Sequence, residues 1–167
     1  MEHRIVGGLS NSFLHSENKA RENAAMAIRR VNNDISVADQ ISVEDIEQIA
    51  RDGFRAIICN RPDGEAPDQT EYAAIEVAAK AAGIEIHFQP VISGQVGDND
   101  GIEFGRIVAN LPKPVLAYCR TGTRCTALWS LSQAGHRPLE EIIAEAQAAG
   151  YDMAPLAPRI AALADRG

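Results

Sequence analysis

Val115-Leu116-Ala117-Tyr118-Cys119-Arg120-Thr121-Gly122-Thr123-Arg124-Cys125-Thr126, running into Ala127-Leu128-Trp129-Ser130-Leu131, is the stretch that decides the fold. It reads as a buried strand, a tight polar loop with glycine, and a helix. Amides of such a loop and the N-terminus of the following helix point at one spot and favour negative charge there. The same field favours a thiolate, so Cys119 is expected to be a lowered-pKa nucleophile. Arg124, with its planar fork, is placed to clamp two oxygens of an oxyanion. A Cys-x-x-x-x-Arg string also arises by chance, as a core cysteine beside a surface arginine. Gly122 and the two threonines around it suit an amide-lined loop better.

Working outward, strand-like and helix-like segments alternate. Strands are expected at Ile35–Ala38, Arg55–Cys59, Ile84–Pro90 and 115–118. Helices are expected from Ser42 to about Arg51, Gln69 to Ala82, and from the Asp100/Glu103 cap to just before Pro112. Others should follow the Cys119 loop, run from Pro138 to Ala149, and span about Pro158 to Ala164. This alternation predicts an α/β domain: a mostly parallel sheet flanked by helices. Sites in such sheets lie beyond the carboxyl ends of the strands. The loops starting at Asn60, Val91 and Cys119 should therefore share one crevice. Residues 1–30 differ in composition and read as an N-terminal arm, with a short helix at Ala20–Arg30, ahead of a domain at 31–167. The arm is expected either to be loosely ordered or to pack on a partner, a second copy of the chain included.

The 167 residues suit one domain with a full core. Net charge is −7, and since residues 1–30 carry +2 the remainder holds −9. That balance argues against nucleic acid or an anionic membrane as the main partner. Three cysteines without a CxxC pattern fit a reducing cytoplasm rather than a disulfide framework. No apolar run is long enough for a membrane span, and the first residues lack a signal-peptide core. The four histidines are scattered, so neither a metal site nor a cofactor is expected.

Asn60-Arg61-Pro62-Asp63-Gly64-Glu65, Pro90-Val91 and the Pro114–Arg124 string together resemble the bacterial beta-lactamase hydrolase-like protein, phosphatase-like domain family, also labelled a sulfur transferase family. The resemblance runs from about Arg30 to Tyr151. It implies the fold of dual-specificity and tyrosine-phosphatase-like enzymes, with Cys119 as nucleophile and Arg124 as oxyanion binder. The loop departs from the phosphatase pattern, which has five residues between Cys and Arg and usually a His before the Cys. Here the four residues Arg120, Thr121, Gly122 and Thr123 intervene and Tyr118 precedes. A four-residue loop is similar to that of rhodanese-type sulfurtransferases and suits a persulfide sulfur.

Three readings follow. The leading expectation is a sulfurtransferase that takes sulfur from a small sulfane donor onto Cys119 and passes it to an acceptor thiol. The alternative is a phosphatase with a phosphocysteine intermediate; the third is a thiol redox-sensing or binding module. Phosphoryl transfer to cysteine needs an acid for an alkoxide leaving group, and Asp98 and Asp100 are the first candidates. Asp63 and Glu65 are the second. Arg61 is expected to pair with those carboxylates and fix their loop. Cys125 is expected to fill the first helical turn, where a hydroxyl would steady the thiolate more strongly than a thiol. Cys59 is read as a core cysteine with the option of resolving Cys119. His87 is read as a core histidine. Apolar helix positions including Ile75, Val77, Ile102, Phe104, Leu128 and Trp129 are read as core faces.

Overall fold

A computed structural model describes residues 27–166. Five strands form one sheet: β1 (Ile28–Arg30), β2 (Ile35–Ala38), β3 (Ala56–Cys59), β4 (Glu85–Phe88) and β5 (Val115–Tyr118). Their order is β1-β2-β5-β3-β4; the last four are mutually parallel and β1 pairs antiparallel on the β2 edge. The helices are α1 (Ile46–Arg51, after a 3-10 turn at Val43–Asp45), α2 (Tyr72–Ala81), α3 (Asp98–Asn110), α4 (Thr123–Ser132), α5 (Leu139–Ala148) and α6 (Ala157–Arg166). The architecture is the mostly parallel, helix-flanked sheet that the alternation predicts.

Parallel strands covered on both faces should be apolar throughout. Accordingly β2, β3 and β5 are buried at every residue. Alternate residues feed two cores. Val37, Ile58 and Ala117 face α3, α4 and α5, whereas Ile57, Cys59, Leu116 and Tyr118 face α1 and α2. Helix α4 lies inside the first core, with every residue from Arg124 to Leu131 buried. Its neighbour α3 comes so close that a Cβ on Gly101 would lie 2.5 Å from Leu131 Cβ. Ala38, Tyr118, Cys59 and Phe88 are in register. The four parallel strands therefore end level, and their outgoing loops gather at one edge.

Several local expectations change. Ile28–Arg30 is an edge strand, not the end of a helix, so the sheet begins inside the segment set apart as an arm; residues 1–26 lie outside the described residues. Helix α2 starts at Tyr72, where Asp63 accepts its N–H at 2.8 Å. Pro138 is the cap of α5 rather than its first helical residue. Asp100 caps α3 by accepting the Gly97 N–H at 2.8 Å, but Glu103 pairs with Arg106 instead. His87 is exposed on the edge strand β4 rather than buried. Val77 (70%) and Ile102 (46%) are exposed, because α2 and α3 each bury only one stripe.

Candidate active site

Cys119 follows β5 directly and is 1% exposed. Its own N–H reaches Ala38 O at 3.3 Å, which ties the start of the loop to β2. The loop then turns through Gly122, the N-cap of α4, at φ +86°. A Cβ there would lie 2.2 Å from the Tyr151 hydroxyl, so both backbone angle and space require glycine. The turn brings Gly122 N–H onto Cys119 Sγ at 3.1 Å. The carbonyls of Arg120, Thr121 and Gly122 are meanwhile taken by Gln40 N–H, the Tyr151 hydroxyl and Thr126.

Donors aimed at the sulfur itself hold the Cys119 thiol down at about 5. The Cys125 thiol contributes most, joined by the amides of Cys125, Thr121 and Gly122, and together they outweigh the opposing effect of burial. Burial pushes the Cys125 thiol well up, so it keeps its proton to donate. Cys125 fills the first turn of α4, fully buried as expected, and its thiol favours the charged form of Cys119. Cys59 belongs to the opposite core, donates to Arg61 O at 3.3 Å, and is raised to about 11 by burial. It is placed as a core thiol, on the other face of the sheet from Cys119.

Arg124 is the second residue of α4 and is 7% exposed. Its Nη1 and Nη2 donate to the two Glu65 oxygens at 2.7 and 2.8 Å, and Nη1 also reaches Val91 O at 3.0 Å. The described residues offer no acceptor to its Nε. One edge of the guanidinium is therefore anchored while the Nε–Nη2 edge stays available to an anion. Glu65 also accepts from Arg61 Nε at 2.9 Å, and Arg61 Nη1 reaches Gln40 Oε1 at 3.0 Å. Of the two carboxylates expected to pair with Arg61, Glu65 does so and Asp63 does not. Hydrogen bonds from Arg124 hold the Glu65 carboxyl below the usual carboxylate range.

The nominated acids all make structural contacts. Asp98 is gripped by Arg159 at 2.8 Å and Arg166 at 2.9 Å, and the Arg159 hydrogen bonds lower its pKa. A general acid needs the reverse, a proton retained near neutral pH. Asp100 and Asp63 are spent capping α3 and α2, and Glu65 is spent on two arginines. Each of the four nominated carboxylates thus has a structural partner.

Arg120, Thr121, Thr123 and Arg124 line a cleft of about 360 Å³, with Ser93, Gly94 and Val96 across from them. The loops after β4 and β5 meet here across the end of β3, whose own loop does not line the cleft but reaches Arg124 through Glu65. Sequence reasoning missed Tyr151 and Gln40, which brace the loop from remote positions that no local pattern marks. A larger groove, about 570 Å³, lies by the C-terminal end of α4 among Ile102, Arg106, His136 and Arg166; it contains none of the nominated residues.

The family model for the beta-lactamase hydrolase-like protein, phosphatase-like domain matches residues 27–136. The chain belongs to that family. A Xylella fastidiosa beta-lactamase hydrolase-like protein is 35% identical over 130 residues, covering 77% of this chain and 30% of that protein. The chain therefore spans about 30% of the length of that relative. A Neisseria meningitidis protein described as a candidate phosphatase is 38% identical, with a TM-score of 0.74, over 83% of this chain and 99% of that one. The core catalytic domain of a Saccharomyces cerevisiae phosphatase, SIW14, shares the fold at 17% identity and TM-score 0.58, over 79% and 81% of the two chains. The fold is thus that of the dual-specificity and tyrosine-phosphatase-like group. Tyr151 and helices α5 and α6 lie beyond the family match.

Proposed function

We propose that this chain is a cysteine-dependent phosphatase acting on substrates whose leaving group departs as a stable anion. The observation that carries the reading is the buried sulfur of Cys119, receiving Gly122 N–H at 3.1 Å beside an arginine with one free edge. The similarity to a described candidate phosphatase at 38% identity supports phosphoryl groups as the cargo. Cys119 Sγ attacks phosphorus, the bond to the leaving oxygen breaks, and that oxygen carries the electron pair away. Water then attacks the phosphocysteine, gives a proton to solvent, and returns the thiolate with inorganic phosphate. Loop amides and the Nε–Nη2 edge of Arg124 hold the equatorial oxygens as charge builds.

The engagement of these four carboxylates supports that substrate class. With these four carboxylates engaged, an alkoxide leaving group would draw its proton from none of them. Aryl phosphates and phosphoanhydrides leave without that help. The test compares hydrolysis of an aryl phosphate, a phosphoanhydride and an alkyl phosphate. The first two should turn over, with the alkyl ester slower by about 10²–10⁴-fold, the usual contribution of a positioned acid. Equal rates on all three would contradict the reading.

A second reading, sulfur transfer, is favoured by the four-residue gap between Cys119 and Arg124. Cys119 would attack a sulfane sulfur, release sulfite or a thiolate, and hand the resulting persulfide sulfur to an acceptor thiol. That chemistry also needs no acid. In either reading the three free thiols fit a reducing compartment, and we place the chain in the cytoplasm. Among the described residues no helix is long and apolar enough to cross a membrane.

A further inference from the structure

The three carbonyls after Cys119 are each held by a donor of different origin. Arg120 O takes a backbone N–H from Gln40 at 3.4 Å, and Gly122 O takes the N–H and hydroxyl of Thr126 at 3.0 and 2.8 Å. The middle carbonyl, Thr121 O, depends on the phenol of Tyr151, 30 residues onward, at 2.9 Å. Thr121 O and Gly122 N–H are opposite ends of one planar peptide. That N–H is the one donated to Cys119 Sγ at 3.1 Å. Tyr151, the peptide and the sulfur therefore form one continuous line of hydrogen bonds.

Glycine at φ +86° allows a turn peptide to flip with little steric resistance. A flip here would swing the Thr121 carbonyl oxygen onto the thiolate and turn the N–H away. The Tyr151 hydroxyl blocks it. Arg29 fixes the direction of that hydroxyl: its Nη1 donates to Tyr151 Oη at 3.0 Å, which leaves the phenolic proton for Thr121 O. Arg29 is itself anchored on Asp39 at 3.2 Å. Burial raises the phenol above its ordinary range, so it remains a donor.

We propose that Tyr151 is a positioning residue for the Cys119 nucleophile, locking the Thr121–Gly122 peptide with its N–H on the sulfur while Arg29 aims the hydroxyl. The proposal rests on Cys119 being the reactive group of the function above, but not on which group it transfers.

The test is the pH dependence of Cys119 alkylation by iodoacetamide on the full chain without substrate, with the modified residue located by peptide mass mapping. Tyr151→Phe should move the midpoint upward by roughly one pH unit, about tenfold less thiolate at a pH below it. Arg29→Met should move it the same way by less, since the phenol stays. The other titratable groups around the thiol are Cys125 and Arg124 on α4, Cys59 on β3 and Glu65 behind Arg124. All keep their identity in both variants. A folded Tyr151→Phe protein with a lower melting temperature and an unmoved midpoint would reduce Tyr151 to a packing residue and overturn the proposal. Should Tyr151→Phe fail to fold, an unmoved midpoint in Arg29→Met, whose side chain is 40% exposed, overturns it equally. Failure of the phosphatase reading would show instead as absent turnover in a wild type whose alkylation is unchanged.

Discussion

Glu65 grips Arg124 by both terminal guanidinium nitrogens, at 2.7 and 2.8 Å, across 59 residues of chain. The contact admits two roles with opposite consequences. Glu65 either presets the arginine so that its free edge meets the substrate, or competes with the substrate for it. The free Nε–Nη2 edge favours the first. Glu65→Gln should then lower kcat/KM by roughly tenfold, about 1.4 kcal/mol of transition-state stabilisation. It should also cost roughly 1.5–3 kcal/mol in denaturant unfolding, because two buried arginines lose a charged acceptor. Tighter substrate binding in this variant would establish competition instead.

Asp98→Asn and Asp100→Asn should leave the rate with an aryl phosphate within a factor of about two to three, far below the ~10²-fold loss expected of an acid. Asp98 is a partly exposed partner of two arginines, so its loss should cost no more than about 1 kcal/mol of stability. Steady-state rates and melting curves of the two variants check this. A hundredfold rate loss in a folded protein would return the acid role to the loop before α3.

The pH dependence follows from the direction of the Cys119 shift. With the thiol held at about 5, turnover should fall as pH drops through about 5 and stay flat from there toward neutrality. Between that value and the ordinary thiol value of about 8.5 the unfolded chain binds the extra proton. The thiolate's contribution to stability is therefore complete above about 8.5 and lost as pH falls through about 5. Cys119→Ser lacks it, so the melting-temperature advantage of wild type should grow with pH across that window. A pH-independent difference would show that the thiol is not depressed.

Cys125→Ser should keep most activity and a low alkylation midpoint, since a hydroxyl replaces the thiol as donor. Cys125→Ala removes the donor and should raise the midpoint by roughly one pH unit. If both variants behave as wild type, Cys125 is only a packing residue. Complete loss of turnover in a folded Cys125→Ser would make it a reacting thiol.

What was legible in the sequence was what local pattern encodes. Apolar runs ending in Cys59 and Tyr118, bounded by glycine and proline, placed the strands and aligned the loops that form the cleft. Cys119, Arg124 and Arg61 were found where their spacing put them. The losses came from partners far along the chain. Asp98 looked like an acid in a flexible loop until Arg159 and Arg166, 61 and 68 residues away, took its carboxylate. Tyr151 carries no motif, and its role exists only because the turn after α5 returns to the Cys119 loop. Ile28-Arg29-Arg30 failed for a different reason: a three-residue edge strand with two arginines has no alternation to read, and the alanine-rich run before it favours helix.

The central claim is that Cys119 carries the transferred group covalently. It is tested by acid-quenching the wild-type chain during turnover of an aryl phosphate and mapping the adduct by peptide mass spectrometry, with Cys119→Ser and a thiosulfate-treated sample in parallel. One phosphoryl group is expected on the Cys119 peptide, and neither adduct nor turnover in a folded Cys119→Ser. Turnover surviving in Cys119→Ser, or one added sulfur on Cys119 from thiosulfate with no phosphoryl adduct from the aryl phosphate, would contradict it.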